Sequence, residues 1–120
     1  MYKVLVFVLV AGLLFFSAAR AEEVAGISNK VKWVTASEVN NFGFDVFRGD
    51  SEDGPFERVN EFTIPGAGNS DTPNQYEFVD DTIEAGKIYW YYVESISMSD
   101  EREKFTPTFQ SKPRFPAADP

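Results

Sequence analysis

Three groups of charged side chains are the places where this sequence could do chemistry. The triplet Arg48-Gly49-Asp50 is an adhesion signal when an exposed loop presents it. Here Arg48 closes a strand-like run and Gly49-Asp50 open a turn, so the triplet is read as a strand end and not as a receptor ligand. Asp50, Glu52 and Asp53 form the second group, hard oxygen donors of the kind Ca²⁺ takes. With Gly54 as the sixth position of an EF-hand loop, the first would be Gly49, which has no side chain to ligate with. Asp80-Asp81 form the third group and read as the cap of a connection. Glycoside hydrolysis needs a carboxyl group with a raised pKa, and no acid here sits in an apolar stretch of sequence that would raise it. Zero His leaves no base to activate a serine, and there is no G-x-S-x-G elbow. Gly66-Ala67-Gly68 leads into Asn69-Ser70-Asp71, not into a helix that would hold phosphate. The expectation is a non-catalytic chain with no metal and no cofactor.

Aromatic residues are the remaining candidates. Ala85–Met98, AGKIYWYYVESISM, alternates with a period of two. If Tyr89, Tyr91 and Val93 face a core, then Trp90 and Tyr92 face outward. The run Phe42–Arg48 sets Phe44 and Val46 against Asp45 and Phe47 in the same way. If the two strands are neighbours, Phe47, Trp90 and Tyr92 share one outer face. Such a stripe binds sugars or protein partners, or simply pairs across strands.

The elements that would position this face are short strands. Lys30–Thr35 alternates Val31 and Trp33 with lysines, as a half-buried strand does. Ala36–Asn41 reads as a polar loop, and Gly49–Pro55 as a turn. Phe56–Ile64 reads as a strand pair or one bent strand, and Gln75–Val79 as a short strand. Pro65–Asn74 carries so many breakers that it reads as a loop, and Ser97–Glu103 as a charged loop. These two loops are the second place to look for recognition. Lys104–Gln110 reads as a last strand with Pro107 at an edge. Ser111–Pro120 has three prolines and no period, and reads as a disordered tail. About seven strands and no helical period predict an all-β antiparallel sandwich.

Residues 1–21 read as a signal peptide. Lys3 supplies the positive end and Val4–Phe16 an apolar core shorter than the ~20 residues a membrane span needs. Ala19-Arg20-Ala21 is a cleavage site, with Ser17-Ala18-Ala19 as a second one. Cleavage removes Lys3 and Arg20 and no acid, moving the net charge from -8 to -10. Such a chain repels nucleic acid and anionic membranes. Its expected location is the periplasm or the cell exterior, without stable membrane insertion. Its expected partner is a protein or a glycan. With no Cys, it must fold without disulfides.

The stretches VKWVTASEVNNFGFDVFRGDSEDGPFERV and YEFVDDTIEAGKIYWYYVESI resemble the fibronectin type III fold, in the variant common in exported bacterial proteins. The resemblance covers Lys30 to Phe109 and lies in a Trp strand, TASE, Gly43-Phe44-x-Val46-x-Arg48, the DGPF turn, Tyr76-x-Phe78-x-Asp80 and Gly86-x-x-Tyr89-x-Tyr91. Ala85-Gly86 stands where many members have Pro-Gly. The resemblance implies a seven-stranded immunoglobulin-like domain over residues 22–110, with Trp33 in the core. It also implies a tyrosine corner, in which the Tyr89 hydroxyl bonds to nearby backbone. It implies fold far more than function. The expectation is a binding or interaction module. A structural spacer or surface-assembly component, and a carbohydrate-binding accessory module, stay open as alternatives.

Overall fold

The computed structural model describes residues 26–117. The expected signal peptide therefore lies outside the described residues, as do positions 118–120 of the tail. The described residues form eight strands and no helix. These are β1 (Asn29–Thr35), β2 (Glu38–Gly49), β3 (Phe56–Arg58), β4 (Ile64–Ser70), β5 (Asn74–Asp80), β6 (Trp90–Ser97), β7 (Arg102–Lys104) and β8 (Phe109–Gln110). All pairings are antiparallel. β1 and β5 make a two-stranded sheet. The other six form a second sheet with β2 and β6 at its centre. β3 and β4 divide the outer side of β2, and β7 and β8 divide the outer side of β6.

The two sheets face each other across one core. Val31 and Trp33 come from β1, Phe44 and Val46 from β2, and Tyr91 and Val93 from β6, with Tyr89 just before it. The period of two works as expected: Tyr89, Tyr91 and Val93 are at most 2% exposed. Trp33 stacks on Tyr76 across β1 and β5 and meets Phe44 of the other sheet edge-on, at ring separations of 5.7 and 5.4 Å. Offset and edge-to-face contacts of this kind suit the quadrupole of aromatic rings.

Several expected boundaries move. β2 begins at Glu38, inside the stretch read as a polar loop. Ile64–Ser70 is a strand, although Pro65, Gly66 and Gly68 read as loop. It pairs with Glu38–Phe44 of β2, with register shifts around Asn41. Its glycines permit the pairing: a Cβ on Gly66 would come within 2.9 Å of the Asn41 carbonyl oxygen. The last strand is split into β7 and β8 around Pro107. Across the gap Thr106 Oγ1 accepts from the Val93 N–H, and the Phe105 N–H donates to the Val93 carbonyl.

The tail is also a correction over its described part. Residues 111–117 form no strand but are tied to the domain. Ser111 exchanges two hydrogen bonds with Tyr89: its N–H donates to the Tyr89 carbonyl, and its Oγ accepts from the Tyr89 N–H. Farther on, the Gly86 N–H donates to the Arg114 carbonyl and Arg114 Nε donates to Asn29 Oδ1. The backbone of the connection before β6 needs partners, and a proline-rich segment without periodicity can supply carbonyls as well as a strand can. Truncation after Ser111 is expected to cost about 1–2 kcal/mol, lowering Tm by roughly 4–12 °C for a domain of this size. A thermal melt unchanged by the truncation would show that the segment contributes nothing.

Candidate functional site

Along β2 and β6 the pleat sends alternate residues to the outer face of the larger sheet. Phe47 lies opposite Tyr92 and Gly49 opposite Trp90, so Phe47, Trp90 and Tyr92 do share one face. All three are half-buried. Phe47 stacks on Tyr92 at 5.1 Å with 11° between the planes, and Phe56 of β3 meets the Tyr92 ring edge-on, also at 5.1 Å. From the β7 side, Lys104 Nζ lies 4.9 Å from the Tyr92 centroid. Because β6 runs between β2 and β7, Tyr92 is held between Phe47 and Lys104. Trp90 has no ring opposite it, since Gly49 carries no side chain. The space above Gly49 is taken by Phe56, whose ring would be 3.0 Å from a Cβ there.

One row farther along the same face is Asp45, fully buried. The alternation had put it on this outer side, but not its burial. Burial alone would push its carboxyl pKa up. Hydrogen bonds from Asn60, Arg102 and Thr63 and the nearby charge of Arg58 more than reverse this, and hold it below the usual range. Arg102 Nη1 donates to Asp45 Oδ2 at 3.0 Å and to Glu94 Oε1 at 2.7 Å, while Arg58 Nη1 is 3.8 Å from the same Asp45 oxygen. Asn60 links this cluster to the sheet edge. Its amide donates to Asp45 and to the Phe62 carbonyl, and its Oδ1 accepts from the Val46 N–H. It thus stands in for a strand partner in the gap between β3 and β4. The outer face is therefore aromatic at one end and charged at the other.

The other sequence candidates fall elsewhere. Arg48 belongs to the inner side with Phe44 and Val46. Its guanidinium donates to Asp80 Oδ2 and Thr82 Oγ1, each at 2.9 Å, and lies 4.8 Å from the Tyr89 centroid. The Arg48-Gly49-Asp50 triplet is thus split: its arginine is engaged between the sheets, and Asp50 pairs with Lys87 on the surface. Among the described residues, no three His, Cys, Asp or Glu gather into a group that could hold a metal ion. The expected corner bond is made, with the Glu84 N–H donating to the Tyr89 hydroxyl at 2.9 Å. Of the two candidate loops, residues 65–70 belong to β4, whereas the turn after β6 is closed by its own bonds, from the Asp100 N–H to the Ser97 carbonyl and from the Glu101 N–H to Ser97 Oγ.

Two features were missed in the sequence. Arg48 as an interior residue was signalled by its parity with Phe44 and Val46. The cations of the outer face were not, because Arg58, Arg102 and Lys104 come from short strands whose register only the fold defines. Comparison of the chain with protein-family models, curated proteins and solved structures gave no match.

Proposed function

We propose that this chain is an exported, non-catalytic binding module with a fibronectin type III-type fold, and that it engages its partner through the outer face bearing Phe47, Trp90 and Tyr92. The fold part of this reading is supported by the Tyr89 corner bond and by the two-stranded β1–β5 sheet facing a larger sheet centred on β2 and β6. Export rests on the signal-like residues 1–21. The observation that carries the binding reading is the grouping of four half-buried aromatic side chains, with Phe56 added to the expected three, beside exposed cations on one sheet face. Aromatic and arginine side chains are the types that dominate binding energy at protein interfaces.

The carbohydrate reading draws less support. A sugar ring stacks on an open aromatic face, and Tyr92 has Phe47 on one side and Lys104 on the other. Trp90 is the member best placed to report binding, because it has no ring opposite it. Trp90→Ala is expected to leave Tm within a few degrees of the parent and to lose about 2 kcal/mol or more of partner binding. The measurement is capture of proteins from the native extracellular fraction by the immobilised domain, with and without the substitution. Undiminished capture by a folded Trp90→Ala protein would remove this face from the function.

A further inference from the structure

The charges on this face are at odds with the rest of the chain. The whole chain carries -8, yet among the strand residues whose register places them on the outer face, Arg58, Arg102 and Lys104 stand against Asp45 and Glu94. Both carboxylates are already used. Asp45 is fully buried and Glu94 is bonded to Arg102. The two arginine side chains remain 47% and 45% exposed, and Lys104 is exposed. Among the described residues, the one ion-pair contact of Arg58 is the 3.8 Å approach to Asp45. The exposed acids Glu57 and Glu103 lie opposite Arg48 and Ser95, so the pleat turns them to the other side of their strands. What remains outward is a packed aromatic cluster with cations beside it, none of them in the Trp90 row.

We propose that this face binds an acidic, extended segment of a partner protein. The proposal rests on the binding role given to this face above and names the class of partner. Guanidinium groups match carboxylates through paired, parallel N–H donors, which suits a glutamate- or aspartate-rich chain. The spacing fits as well. Arg58 on β3 and Lys104 on β7 are three strand intervals apart and offset by one row, on the order of 15 Å, which four or five residues of extended chain span. Acidic side chains at that separation reach both cations while the intervening residues lie over the Phe47–Tyr92 stack. A polyanion is otherwise repelled by this chain, so its binding is a specific property of this face.

The test is fluorescence anisotropy of a labelled hexaglutamate peptide with the purified protein, with hexaglutamine as control, at low and high salt. The expected result is binding of hexaglutamate, none of hexaglutamine, and loss of affinity as salt rises. Arg58→Gln with Lys104→Gln is expected to weaken binding roughly tenfold or more, about 1.4 kcal/mol per decade, at an unchanged Tm. Equal binding of the two peptides, or of parent and double variant, overturns the proposal. These peptide and salt comparisons on the parent protein decide the matter even if the double variant does not fold. Binding of dextran sulfate in place of hexaglutamate would assign the face to an anionic glycan, and salt-dependent dimerisation of the protein alone would assign it to a second copy. Either overturns the partner class. If hexaglutamate is inert while Trp90-dependent capture of a native protein persists, the acidic-segment proposal falls and the binding role of the face stands.

Discussion

Asp80→Ala is expected to destabilise the domain by about 3–5 kcal/mol, a large share of the roughly 5–15 kcal/mol that holds a domain of this size. Asp80 ends β5, in the small sheet, and its side chain reaches across to the large one. Tyr91 donates its hydroxyl to Asp80 Oδ2 at 2.6 Å, Arg48 donates to the same oxygen, and Thr82 bonds Oδ1 through both its N–H and its hydroxyl. Burial alone would push the Asp80 carboxyl pKa up; the bonds from Tyr91, Thr82 and Arg48 overcome it and hold it below the usual range. Burial and the bond to Asp80 together push the Tyr91 hydroxyl well above its ordinary value, so it stays a donor. The chain of bonds continues, as Asn29 donates to the Tyr91 hydroxyl and accepts from Arg114 of the tail. Removing the carboxylate strands a guanidinium and a hydroxyl between the sheets, and the cost lies in those unpaired groups. A cycle with Arg48→Ala checks the cause. Urea unfolding of the double variant is expected to show clearly less loss than the two single losses added together. Strict additivity would mean that Arg48 and Asp80 act separately.

That network shows how far the sequence could be read. Tyr89, Tyr91 and Val93 were legible because strand periodicity needs no knowledge of partners. The same parity reached Arg48, which the local pattern shows only as the end of a strand. What decides its place is Asp80, distant in sequence, and such pairing is invisible to a local pattern. β4 was lost for a related reason. Pro65, Gly66 and Gly68 have the composition of a loop, but at Gly66 and Gly43 the facing strand leaves no room for a Cβ. A Cβ on Gly43 would collide with the Ile64 carbonyl oxygen. Of the outer face, Phe47, Trp90 and Tyr92 were found by alternation and neighbourhood. Arg58, Arg102 and Lys104 were not, since β3 and β7 have three residues each and no period to read.

The opposite end of the sandwich is held by a second buried carboxylate, and its removal is expected to cost about 2–3 kcal/mol. Glu38, at the start of β2, accepts from Thr35 of the small sheet at 2.8 Å, from Asn41 at 2.7 Å, from the Ala67 N–H of β4 at 2.9 Å and from the Tyr76 hydroxyl of β5. Four donors from both sheets therefore converge on one side chain, in a stretch that composition marked as loop. Burial opposes its charge, but the bonds from Asn41, Tyr76, Ala67 and Thr35 prevail and bring its pKa from 4.5 to about 2. Burial and the same carboxylate push the Tyr76 hydroxyl up to about 12. A carboxyl group whose pKa is depressed by folding binds protons more readily when unfolded. Its stabilising effect is thus complete above 4.5, declines as pH falls below that value, and is gone once pH has passed through about 2. Glu38→Gln keeps the shape but removes the charge, and a neutral amide cannot accept from all four donors. The gap in unfolding free energy between parent and Glu38→Gln should therefore be widest near neutral pH and narrow steadily between 4.5 and about 2. Amide exchange should locate the effect, with protection lost first in β4, whose Ala67 N–H has Glu38 as its acceptor. A gap that stays constant across that acid range would mean that the Glu38 charge is not what ties the sheets together.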